Sequence, residues 1–388
     1  MKTFKPVLLT GLMLMLISLA CQALQPAPPT FTPLPPTSTP VPATPTPVPS
    51  PTMTPTPEGL SSRIAYALFA DDGIFIHTVD ADGQNDTRLT EEDCAAAMPT
   101  WSNDGLLIAY YCYDADQKKA DLWVMKKDSS DVQYMATLPG LLPVKWSPDD
   151  RYIAYHAPQP DGAENDIYIL DVISGEITNL TKDSKVWDAF PDWSPNGDLI
   201  AFASDRTSGG KALDDIWVMK PDGTGLVNLT NNGANWEDYH PAWSPDGKSI
   251  AFFRGGMVFG EEPEGGPAGL WVIDSDGQDQ KLVAQFEPYS AYNVPAWSPD
   301  GQYIAYSYGF DEDEKVWVVP AQGGEPVMVS DVAGRKSSIS WSSDSSTLIF
   351  TNDSEADNTL MIYVALPDGS DTHPLLPEGE YGYGDWAP

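Results

Sequence analysis

The chain has 388 residues, and its 21 Lys+Arg against 56 Asp+Glu give a net charge of −35. So acidic a surface does not hold nucleic acid or an anionic lipid face through bulk electrostatics. An apolar fraction of 41% and 13 Trp, 17 Tyr and 12 Phe argue against disorder over most of the chain, while three cysteines are too few to staple a disulfide scaffold. The four histidines are scattered, so neither a His-rich metal site nor any cofactor is expected.

Residues 1–20 read as a secretory signal. Lys2 and Lys5 form the basic start, and Val7 to Leu19 is an apolar run too short for a comfortable membrane span. The run ends in Ser18-Leu19-Ala20-Cys21, which resembles a bacterial lipobox with Cys21 as the lipidated residue, although Ser18 departs from the usual Leu. An ordinary cleaved signal with an incidental cysteine is the alternative. Residues 21–58 are expected to be a disordered Thr/Pro-rich stalk. Gln22 to Pro57 holds 14 prolines, 9 threonines and no charge, which cannot bury a core. At about 3.1 Å per residue such a segment reaches roughly 110 Å.

From residue 59 to 388 one pattern recurs. Trp101, Trp146, Trp193, Trp243, Trp297 and Trp341 each open a Trp-Ser-Pro-Asp-Gly-like turn, and each is followed seven residues later by Ile108, Ile153, Ile200, Ile250, Ile304 or Leu348 at the head of an Ile-Ala-Tyr-like strand. Pro presets the first turn position, Asp or Asn can bond the backbone two residues on, and Gly accepts positive φ. A third strand such as Ile216-Trp-Val-Met and a fourth ending in Leu-Thr, as at Leu229-Thr230, complete four strands in 44 to 54 residues, the period of a propeller blade. At the N-terminal end of the array Ile64-Ala-Tyr lacks a Trp strand before it, and at the other end Trp386 lacks an Ile-Ala-Tyr strand after it. Together they complete one blade. The expected fold is therefore all-β: a seven-bladed β-propeller of four-stranded antiparallel blades, closed by pairing the C-terminal strand with the N-terminal blade.

The Trp-Ser-Pro-Asp-Gly repeat, with its Ile-Ala-Phe and Ile-Trp-Val-Met strands, resembles the TolB-type propeller repeat, which also builds the propellers of prolyl-oligopeptidase-type peptidases. The resemblance covers about residues 60–388 and implies the fold more strongly than a function. TolB itself has six blades and an N-terminal α/β domain, where this chain reads as seven blades and a proline-rich stalk. The peptidases carry a Gly-x-Ser-x-Gly elbow, which does not occur here.

Loops before each Trp strand and after each Ile-Ala-Phe strand fall on one rim. Candidate ligand-binding residues there are Trp187, Asp188, Trp236, Asp238, Tyr239, His240, Tyr292, Asn293, Tyr381 and Tyr383. Aromatic rings and carboxylates around a concave mouth suit a carbohydrate, a cationic group or a peptide strand; the plainer alternative is that the tryptophans pack beneath the loops and the carboxylates are solvated. His240, beside Asp238, is the single candidate general base, and Asp205-Arg206 reads as a local ion pair. Asp80-Ala-Asp82-Gly83, Asp274-Ser-Asp276-Gly277 and Asp311-Glu-Asp-Glu314 fit turns or solvated loops better than calcium sites. In the Trp101 hairpin, Cys112 is expected opposite residues 95–96, beside Cys94, so a disulfide is geometrically sound, with two thiols the alternative.

No catalytic or metal constellation emerges. The expectation is a monomeric binding or scaffold module, extracytoplasmic and lipid-anchored to the membrane through Cys21. It would present its rim to an envelope protein, peptide or glycan and bind no nucleic acid. The competing expectation is a propeller enzyme, a glycan lyase or hydrolase with its site at the channel mouth.

Overall fold

The computed structural model describes residues 63–388 apart from 92–93, 115–118, 139–142, 160–163, 183–184, 208–213, 233–235, 256–266, 287–293, 310–312, 355–358 and 378. The signal, Cys21, the stalk, Tyr292 and Asn293 lie outside the described residues. Among the described residues, twenty-eight strands form seven four-stranded antiparallel sheets. Blade 1 combines residues 63–88 with 380–386; blades 2 to 7 are 95–138, 145–179, 188–228, 237–285, 296–330 and 335–374. Among the described residues no helix is long and apolar enough to cross a membrane.

The period-two alternation of the Ile-Ala-Tyr strands explains how each sheet is buried on both faces. In blade 2, Ile108 and Trp101 pack back on Ala65 and Ile76 of blade 1, whereas Ala109 and Tyr111 pack forward on Trp146 and Ile153 of blade 3. Each of the seven blade-to-blade interfaces carries such an apolar cluster. A lone blade would leave both faces wet.

Closure occurs where the sequence pattern places it. Glu380–Trp386 is the innermost strand of blade 1 and pairs with Arg63–Ala70, with Ile64 opposite Trp386 and Leu68 opposite Tyr381. Asp385 ties this strand to both neighbours. Its carboxylate accepts from the Trp101 N–H at 2.8 Å and Thr100 Oγ1 at 3.1 Å in blade 2, and from Ser340 Oγ at 3.2 Å in blade 7. The same device recurs at Asp192, which accepts from the Trp243 N–H at 2.8 Å. Where the preceding blade offers no such acceptor, the indole makes the contact: Nε1 of Trp146, Trp193, Trp297 and Trp341 donates to the carbonyl of Thr100, Lys145, Ala242 and Ala296.

The turns reveal why serine follows every tryptophan of the six turn-bearing copies, which the sequence reading left unexplained. Each of these serines is buried, donates to the turn Asp or Asn at 2.6–2.8 Å, and accepts the N–H that opens the next strand at 2.8–3.0 Å. Two turns replace Gly at the positive-φ position, with Asp150 at +57° and Ser345 at +62°. Both replacements reach back to the preceding blade: Asp150 accepts from the N–H groups of Asn103 and Asp104, and Ser345 Oγ accepts from the Asp300 N–H.

Candidate functional site

The end opposite these turns is the rim, where innermost strands begin and second strands finish. In five innermost strands a β-bulge precedes the Trp. The residue three before the Trp then adopts positive φ: Met98 (+52°), Phe190 (+56°), His240 (+54°), Ser338 (+52°) and Tyr383 (+58°). A bulge re-aims the side chain it carries. Three of the five, Met98, Phe190 and His240, are followed by proline, whereas Ser338 and Tyr383 are not, so the bulge has no uniform sequence mark. Pro143, Lys145, His156, Phe190, Pro191, Pro241 and Val294 together line a small apolar cavity.

Most rim carboxylates and several rim aromatics hold the blades themselves. Asp238 and Arg254 are 0% and 2% exposed and form a two-point pair, Nε–Oδ1 2.7 Å and Nη2–Oδ2 2.7 Å. Asn232 also donates to Asp238 at 3.0 Å, and the guanidinium lies 4.7 Å from the Trp271 ring. Burial pushes the Asp238 carboxyl up, and Arg254 pulls against it. Asp188 is likewise buried and pairs with Arg206 at 2.6 Å. The expected Asp205–Arg206 pair is thus replaced: Arg206 turns to Asp188, and Asp205 accepts from the Trp187 N–H at 2.9 Å. Trp236 is fully buried, and so is Tyr381, whose hydroxyl bonds to the Leu376 carbonyl. Cys94 and Cys112 are disulfide-bonded, Cα–Cα 5.4 Å, with Cys112 opposite Ala96.

The partly exposed rings Trp187, Phe190, Tyr239, Phe286 and Tyr308 are joined into an arc through the buried rings of His240 and Phe253. Trp187 meets Phe190 at 5.6 Å between centroids, Phe190 meets His240 at 4.0 Å, and His240 meets Tyr239 at 5.1 Å. From Tyr239 the contacts continue through buried Phe253 to Phe286 and on to Tyr308 at 4.7 Å. Sequence reading singles out Trp187, Tyr239 and His240; it places Phe190 and Tyr308 on the rim without counting them as ligand-binding, and it misses Phe286. Phe286 directly follows the strand Lys281–Gln285, and Tyr308 ends the strand Tyr303–Tyr308. Tyr383 stands apart in blade 1, beside Phe69.

Two histidines flank Phe190. His156 accepts the Phe190 N–H at its Nδ1 (3.4 Å), and burial lowers its pKa to about 4, so it is neutral near pH 7. Beside the arc, Asp214 is pushed up to about 8 by burial, then by Glu237 and Asp205. His240 touches Phe190 edge-on, while Asp238 is engaged by Arg254. This geometry gives no support to the two as an acid–base pair. Among the described residues no three His, Cys, Asp or Glu side chains are grouped to hold a metal ion.

A ring of four-stranded blades with a structural repeat turn and a variable rim defines a repeat propeller. Residues 51–259 match the TolB beta propeller domain, and the chain belongs to that family. An uncharacterized protein of Agrobacterium fabrum is 32% identical over 162 residues, 42% of this chain and 52% of that protein, so the match spans about half the relative's length. Among solved structures, TolB from Acinetobacter baumannii is similar at a TM-score of 0.52, with 20% identity over 84% of this chain and 67% of that one. An oligogalacturonate lyase from Vibrio parahaemolyticus is similar at 0.60, with 13% identity over 78% and 86%. At these identities the likeness concerns the fold.

Proposed function

We propose that this protein is a non-catalytic binding or scaffold propeller, held outside the cytoplasmic membrane by a lipid on Cys21 and a Thr/Pro-rich stalk, with its rim turned to a protein partner. The observation that carries the reading is the division of labour at the rim. The acidic residues that would serve catalysis, Asp188 and Asp238, are buried against arginines, while Trp187, Phe190, Tyr239, Phe286 and Tyr308 remain partly open to solvent. Large rings that keep one face wet are what protein and peptide interfaces use as anchors. Membership of the TolB propeller family supports a rim-presenting module, and the lipobox-like Cys21 supports the address.

The test is a pull-down from the native envelope with the intact protein and with a Trp187→Ala/Tyr239→Ala variant. A partner retained by the first and lost by the second supports the reading; equal capture sinks it. The second reading, a glycan lyase or hydrolase, rests on His156 and His240 flanking Phe190 at the mouth. Turnover of pectic or other oligosaccharides, abolished by His240→Ala, would favour it.

A further inference from the structure

We propose that the aromatic arc of blades 4 to 6 is a docking strip for a basic, extended polypeptide segment. This rests on the rim-binding reading above and names the chemistry of the partner. Three observations carry it. The partly exposed rings of Trp187, Phe190, Tyr239, Phe286 and Tyr308 are linked around the rim through buried His240 and Phe253, so an extended peptide laid along the rim would meet one open ring after another. Carboxylates border the rings. Asp205 is bonded to the Trp187 backbone at 2.9 Å, Glu237 precedes Tyr239 by two residues and shares its strand face, and Asp214 stands close to both carboxylates. Among the described residues, the nearby Arg206 and Arg254 pair with Asp188 and Asp238.

A ring face beside a carboxylate is the arrangement that holds a guanidinium or ammonium group, through the ring quadrupole and a charge-assisted hydrogen bond together. Burial, then Glu237 and Asp205, raise Asp214 to about 8, so near pH 7 it is mostly neutral and the charge of the border rests on Asp205 and Glu237. The −35 chain repels a second copy of itself and an anionic glycan.

The experiment uses the folded protein and four fluorescent probes: a short peptide alternating Arg and Tyr, its counterparts with Glu or Ser for Arg, and an uncharged chitin oligosaccharide. Anisotropy titration is expected to rank the Arg peptide first, its affinity falling on the order of tenfold as salt is raised from about 0.01 M to 0.15 M. Asp205→Asn/Glu237→Gln and Trp187→Ala/Tyr239→Ala should each weaken it at least about tenfold, a loss of about 1.4 kcal/mol. Asp276→Asn, in an outer hairpin turn, should not. If a ring variant fails to fold, the near-isosteric carboxylate pair carries the test. Arg-peptide binding that ignores the rim variants overturns the inference as diffuse attraction. Tighter binding of the Ser peptide or the oligosaccharide, lost in the ring variant, overturns the basic partner and leaves rim binding standing. No rim-dependent binding by any probe, together with equal capture in the pull-down, overturns both.

Discussion

At one end of the propeller six blades turn the chain with the same buried serine and the same carboxylate or amide contact. At the other end blade 2 uses a disulfide, blades 4 and 5 use Asp–Arg pairs, and blade 7 uses Lys336, whose ammonium bonds to the carbonyls of Val332 and Gly334. The turns vary little because each must return the chain in the one register that stacks Trp and Ile on the preceding blade. The rim ends have only to satisfy their own buried groups, by whatever chemistry, and that freedom leaves room for a binding surface.

The largest break should come from the strand that joins both ends of the chain. Deleting residues 385–388 removes Trp386 and the Asp385 bridge to blades 2 and 7, and the buried Trp alone is worth about 3–5 kcal/mol. Loss of cooperative melting is expected; an unchanged Tm would contradict closure. Next, Asp238→Ala removes both carboxylate bonds to the buried Arg254 and should cost about 3–5 kcal/mol in urea denaturation, whereas Asp238→Leu with Arg254→Met should recover most of it. If the two variants are equally unstable, the cost does not come from an uncompensated buried arginine. Removing the rim disulfide with Cys94→Ser/Cys112→Ser should cost about 3 kcal/mol for a loop of this length. Thiol counting on the unreduced protein should find neither cysteine free.

A pH series separates the two regions further. Asp214 has a folded pKa of about 8, well above its unfolded value, so its contribution is intact below about pH 4 and is lost as pH rises toward 8. Asp214→Asn should therefore stabilise the protein at pH 8 by about 1–2 kcal/mol, after allowance for screening, and change nothing near pH 4. His156, with a folded pKa of about 4, acts in the opposite sense: stability is intact above about pH 6.5 and is lost as pH falls toward 4. The smallest effect belongs to the turn face. Asp150→Gly loses the bonds to Asn103 and Asp104 but relieves a left-handed residue, for a net loss of about 1 kcal/mol or less by thermal melting.

The same contrast explains what could be read from the residues. Blade number, closure and the pairing of Ile64 with Trp386 were legible because buried strands announce themselves by alternation and fixed spacing. The position of Cys112 beside Cys94 followed from counting along a hairpin. The fates of Asp188 and Asp238 were not legible. A carboxylate at a strand end looks the same whether it meets water or an arginine, and Arg206 and Arg254 lie 18 and 16 residues further on. Counting register would have found the second pair, since Asp238 lies directly opposite Arg254. It would not have found the first, because Arg206 sits beyond the last paired residue of its strand.

The strand at 380–386 has a consequence for synthesis. Arg63–Ala70 is translated about 310 residues ahead of its inner neighbour, Glu380–Trp386. Until then its inner edge offers unpaired backbone groups and the apolar residues Ile64, Tyr66 and Leu68. Joining segments so distant in the chain is slow. A nascent chain stalled before residue 380 should therefore be soluble only while a chaperone covers that edge.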